Sequence, residues 1–154
     1  MSSFSSLLLA IDLANVKRDQ AMGHWHKAMQ AQAYAMDQMR QLKQYASETE
    51  ERWTCSAQQS TTPELLHHHY QFMDRLNQTM ALQDNVLETS SQKVETARQL
   101  MVEAEVRLAS LKKLVALKQA EQQKQHRHRD QKHMDEFAAM QTQRQMRINE
   151  ENAA

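Results

Sequence analysis

The sequence predicts an all-α fold: a long two-helix antiparallel coiled-coil hairpin with a C-terminal helical overhang. Three observations lead there. Gly and Pro each occur once in 154 residues, so the chain has few places to fold back. Apolar residues recur at alternating spacings of three and four on both sides of one polar stretch, the pattern of a coiled-coil seam. The seam stops well before the chain does.

The first helix is expected over about 3–54. Its seam reads Phe4, Leu8, Ile11, Met22, Trp25, Met29, Met36, Met39, Ala46 and Trp53, interrupted by Asn15, Arg18 and Gln32. Gly23 lies inside it, as a tolerated weak spot or as a bend or close helix approach. The stretch Thr54 to Pro63 carries the cluster of turn-forming residues, which puts the turn at about 55–62. Pro63 suits a first helical position, Thr62 an N-cap and Glu64 the positive end of the helix dipole. The second helix is expected over about 63–150. Its seam reads Leu66, Met73, Leu76, Met80, Leu87, Val94, Ala97, Met101, Ala104, Leu108, Leu111 and Val115, with His69 as a half-buried polar layer.

After Val115 the seam positions become Lys118, Gln122, Gln125, Arg129, Lys132 and Glu136. A first helix of roughly 50 residues spans about 75 Å. An equally long antiparallel partner starting at Pro63 runs out near Val115, where the apolar seam also ends. Opposed positions then have numbers summing to roughly 122, which sets Ile11 against Leu111 and Trp25 near Ala97. The remaining residues form an overhang without an intramolecular partner, a segment expected to fray when free. The whole chain, 1–154, reads as one coiled-coil domain.

Composition excludes several functions. Lys+Arg 19 balance Asp+Glu 19, so no overall field draws nucleic acid or an acidic membrane. Cys55 is alone, which fits a reducing compartment. Leu7, Leu8, Leu9 and Ile11 form too short an apolar run to span a bilayer and lack a basic leader, so the chain reads as cytoplasmic, without membrane insertion. None of the 8 His pairs at the i, i+4 spacing of a helical metal site; no metal and no cofactor are expected. One Gly cannot build a phosphate-cradling loop, and a two-helix hairpin encloses no cavity to shield a reaction, so no enzyme activity is inferred. The Lys118 to Lys132 stretch is locally basic but lacks base-reading aromatics, which favours an acidic protein surface over nucleic acid. The 11 Met supply pliable seam filling, or a deformable surface for changing partners.

The polar ending Asp130-Gln131-Lys132-His133-Met134-Asp135-Glu136-Phe137-Ala138 does not follow from heptads. This DQK-x-MDEFA run resembles the C-terminal signature of the FliJ family, the coiled-coil stalk of the bacterial flagellar export ATPase. The layout of the two helices and Tyr70-Gln71-Phe72 followed by Leu76 resemble the same family over nearly the whole chain. The resemblance implies a non-enzymatic stalk, serving motility, that inserts into the export ATPase hexamer, promotes its assembly and couples it to the cytoplasmic domain of the export gate. It also implies escort of substrate-free export chaperones and a peripheral position at the cytoplasmic face of the inner membrane. Carried over residue by residue, the gate contact is Phe72, Leu76, Thr79 and Gln83, with Thr79 and Gln83 departing from the family's Ala and His. The family's shaft end is where the overhang lies. There Arg127, Arg129 and Lys132 are expected to face acidic groups of the ATPase ring, with Met134, Asp135 and Phe137 completing the contact. Rival expectations are a stalk of a virulence-type secretion ATPase and a structural coiled coil that self-associates through the overhang.

Overall fold

The computed structural model describes residues 2–154, with side chains from Ser3 onward. Two α-helices make up the described chain: α1, Ser2–Gln59, and α2, Pro63–Ala153. The turn is only 60–62, shorter than the expected 55–62. The residues Thr54 to Gln59 stay helical because none is Gly or Pro, and the Thr54 hydroxyl donates 2.9 Å back to the Glu50 carbonyl. The last turn of α1 closes with the Ser60 N–H on the Ser56 carbonyl at 3.2 Å. Pro63 then forces the break, since the residue before a proline is pushed out of the helical region. Thr62 caps α2 as expected: its hydroxyl accepts from the Leu65 N–H at 3.3 Å, and its carbonyl from the Leu66 N–H at 3.1 Å.

The chain groups into two compact units, Leu13–Arg107 and Met1–Asp12 with Leu108–Ala154. The first is an antiparallel hairpin. On α2 the residues that lose surface run His69, Met73, Leu76, Met80, Gln83, Leu87, Ser90, Val94, Ala97, Met101 and Ala104. That is an unbroken alternation of four and three. On α1 the matching line is Ala14, Arg18, Ala21, Trp25, Ala28, Gln32, Ala35, Met39, Leu42, Ala46, Thr49 and Trp53.

Register is fixed by side-chain contacts across the helices. Trp53 stacks on His69 with ring centroids 4.5 Å apart and planes 7° from parallel, so these two numbers sum to 122. The Gln83 side-chain amide donates to the Ala35 carbonyl at 2.9 Å and to Gln38 Oε1 at 3.4 Å. Tyr45 meets Phe72 edge-on at 5.9 Å. Carrying the Trp53–His69 layer along by heptads sets Trp25 level with Ala97. The Trp25 indole Nε1 is buried with no hydrogen-bond partner among the described residues, a cost of about 1–3 kcal/mol.

Two details differ from the expected seam. One of its two lines on α1 includes alanines a residue earlier than expected: Ala35 is buried while Met36 is 56% exposed, and Ala14, Ala21 and Ala28 lose surface together with Asn15, expected as an interruption, and with the expected Met22 and Met29, which are half-buried. Bulk misleads at Met36, because the small Ala35 beside it lets the two helices approach closely. Arg18 and Gln32, expected as interruptions, are half-buried members of the seam, and Leu66 is exposed, so the α2 seam starts at His69. Gly23 does not serve a close approach: a Cβ built there meets nothing within 4 Å.

In the second unit, Phe4, Leu7, Ala10 and Ile11 of α1 and Leu108, Leu111, Val115 and Lys118 of α2 lose surface. Leu7 takes the line expected of Leu8, which is 44% exposed. Leu108 and Val115 are its buried residues, and from Gln119 to the end every residue is exposed. Beyond the seam α2 continues as a helix to Ala153. The residues of this tail are mainly Gln, Lys, Arg, Met, Ala and Glu, with no Gly or Pro, so propensity favours the helix throughout.

Candidate partner-binding surfaces

The four residues of the expected gate contact occupy different environments. Leu76 is a seam residue, 7% exposed, and Gln83 is half-buried with its amide committed to Ala35 and Gln38. Both therefore serve the interior of the hairpin. Phe72 and Thr79 face solvent. The Thr79 hydroxyl donates to the Arg75 carbonyl at 2.9 Å, so its polar group is engaged by its own helix. Phe72 and Tyr45 pack edge to face, both still partly open to solvent.

Beside this pair a shallow groove runs between the helices, lined by Gln38, Gln41, Leu42, Tyr45, Thr79 and Gln83. The α1 side of that surface was missed from sequence, because α1 was read for its seam alone. A usable signal was present: Gln38 and Tyr45 are seven residues apart on the flank beside the seam, where they meet Phe72 and Thr79.

The tail residues expected to meet an ATPase ring, Arg127, Arg129, Lys132, Met134, Asp135 and Phe137, are all exposed. At 3.6 residues per turn they do not share one face. Arg129 and Lys132 continue the former seam line, Met134 and Phe137 lie side by side on another, and Arg127 sits two turns below Met134. Asp135 points away from Phe137. The sequence reading stopped short of a longer strip. Phe137, Met140, Arg144 and Ile148 follow at spacings of three and four, and all are exposed.

Electrostatic structure is local. Four ion pairs join neighbours on the same helix: Arg18–Asp19, Arg40–Asp37, Arg52–Glu48 and Arg98–Glu95. The two-pronged hydrogen bond from Arg98 holds the Glu95 carboxyl below the usual carboxylate range and raises the guanidinium in turn. Among the described residues, no group of three His, Cys, Asp or Glu is placed to hold a metal ion, and no helix is long and apolar enough to cross a membrane.

Two long helices and no strand among the described residues define an all-α helical hairpin. The family profile described as "Flagellar FliJ protein" matches residues 3–147, and the chain belongs to that family. It is thereby a component associated with flagellar protein export. No curated protein and no solved structure matches the chain significantly.

Proposed function

We propose that this protein is the stalk of the flagellar export ATPase: it inserts its exposed tail into the ATPase hexamer, promotes assembly of that ring and couples it to the cytoplasmic domain of the export gate. One observation carries the proposal. From Gln119 to Ala153 the chain maintains a helix that buries nothing within the described molecule. A solvated helix without packing is marginal, so a surface of this length is maintained for contact with something else. The tail offers Arg129 and Lys132 on one line and Phe137, Met140 and Ile148 on a neighbouring strip, with Met134 on its far side, a combination suited to an acidic ring lumen with a small apolar lining that surrounds the helix. The exposed Phe72–Tyr45 pair supports a separate gate contact on the hairpin. The protein then works in the cytoplasm, peripheral to the inner membrane, and escorts substrate-free export chaperones to the apparatus.

The test compares the full chain with one stopped after Lys118, where the seam is complete. Both are mixed with the partner ATPase, and turnover and hexamer fraction are measured. The full chain should raise both, less so as salt rises, because charge contacts at a surface are screened beyond about 10 Å at 0.1 M. The shortened chain should keep its cooperative melt by circular dichroism and lose activation. Full activation by the shortened chain would overturn the stalk mechanism.

A further inference from the structure

The two flanks of the Leu13–Arg107 hairpin carry opposite charge. Beside the seam, one flank is marked by the touching pair Tyr45 and Phe72. Stepping by sevens from Phe72 gives Thr79, Val86, Lys93, Leu100 and Arg107; four residues before Thr79, Val86 and Arg107 lie Arg75, Leu82 and Glu103 on the same side. On α1 the flank adds Lys17 by sevens from Tyr45, and Tyr34 and Lys27 four residues before Gln38 and Ala31. With the Arg52–Glu48 pair set aside, five cations remain there, Lys17, Lys27, Arg75, Lys93 and Arg107, against the single acid Glu103. The other flank is the reverse. With the Arg98–Glu95 and Arg40–Asp37 pairs set aside, it keeps Glu50, Asp74, Asp84, Glu88 and Glu105 against Lys43. A chain with no net charge is thus polarised across its width.

Within the basic flank lies an apolar cluster that the hairpin does not cover. Tyr34 and Leu82 are each 67% exposed, and Val86 is 48% exposed. The Gln83–Ala35 hydrogen bond fixes their level, since Tyr34 and Leu82 directly precede its two partners. By heptad position these residues lie on the same flank, next to the groove that Gln38, Tyr45 and Thr79 line.

We infer that the gate contact extends from Phe72 and Tyr45 to Tyr34, Leu82 and Val86, and that its occupant is an acidic segment of the gate's cytoplasmic domain seating apolar side chains between Lys27, Arg75 and Lys93. This rests on the gate contact proposed above. Charge complementarity selects the occupant: a segment with acids on either side of apolar anchors satisfies the cations and covers the cluster together. A second copy offering its acidic flank is disfavoured, because a front-to-back contact cannot form a two-fold dimer and would build rings or open filaments.

The experiment titrates the gate's cytoplasmic domain against the full chain by fluorescence anisotropy, at low and moderate salt, with helicity checked by circular dichroism. Tyr34→Ala with Leu82→Ala, and separately Lys27→Glu with Lys93→Glu, should each weaken binding about tenfold, the second mainly at low salt. Asp84→Lys with Glu88→Lys, on the other flank, should not weaken it. Phe72→Ala serves to separate the two ideas. If Phe72→Ala abolishes binding while both test pairs bind normally, the gate contact stands and its extension is overturned. If the unaltered chain does not bind the gate domain, the gate contact fails and the extension falls with it. Sedimentation showing a dimer that Leu82→Ala dissociates would assign the flank to a second copy and overturn the inference.

Discussion

The two stretches of α2 on either side of Lys118 have the same helical backbone and opposite reasons for it. From His69 to Lys118 the helix is held by what it buries, in an unbroken alternation of four and three. From Gln119 to Ala153 it buries nothing, and its helicity rests on propensity alone. On the proposed reading, one continuous helix serves as scaffold in one part and as recognition surface in the other. Mutations should therefore separate into two classes.

The largest effect should come from the seam. Leu108→Ala removes a side chain that is 4% exposed and should cost about 2–4 kcal/mol, whereas Met134→Ala in the tail should leave the chemical denaturation midpoint unchanged. Equal costs at the two sites would erase the distinction between scaffold and surface. Next is the polar layer. Gln83→Ala should cost about 1 kcal/mol, because it deletes a half-buried amide bonded across the helices. Gln83→Leu should restore or exceed the original stability if the layer serves register more than strength. Gly23→Ala should stabilise by about 0.5–1 kcal/mol, since the added methyl meets no neighbour within 4 Å. A loss of stability there would mean that the glycine serves a second conformation.

The smallest effect should be electrostatic. Glu95 has its carboxyl lowered, chiefly by the Arg98 hydrogen bond, so its contribution is present above the usual carboxylate range and is lost as pH falls through its lowered value. Glu95→Gln should thus give a loss near the limit of measurement at neutral pH, and none in strong acid. Thermal melts of both proteins across that range would check the sign.

Much of this comparison was legible in the sequence. Two helices, the proline break, the Thr62 cap and the end of the apolar seam at Val115 all follow from residue types and spacing. The errors share one physical source. Leu8 and Met36 were assigned to the seam because bulk was taken as the mark of burial, while Leu7 and Ala35 hold the line. An alanine is uninformative in a hydropathy pattern, yet it is the residue that lets backbones approach. The environments of Leu76 and Gln83, which the family resemblance offers as gate contacts, were not separable from those of Phe72 and Thr79 until the packing of the hairpin was known. The flank charges were hidden for another reason. They cancel in the total and separate only when each residue is assigned to a side.

The position of the turn also governs the order in which the structure can form. Trp53 and His69 meet across a short connection, whereas Gln83 reaches Ala35 across 48 residues. Closing the longer loop first would cost about 1 kcal/mol more in chain entropy. The hairpin should accordingly close from Pro63 outward, with the Trp53–His69 stack in the nucleus. Replacing His69 by Ala should then slow refolding in stopped-flow measurements, while replacing Gln83 should mainly speed unfolding. Equal effects of the two on the refolding rate would argue against this order. A zipper of this kind makes the three residues of the turn the timing element of the molecule, although no partner contact is assigned to them.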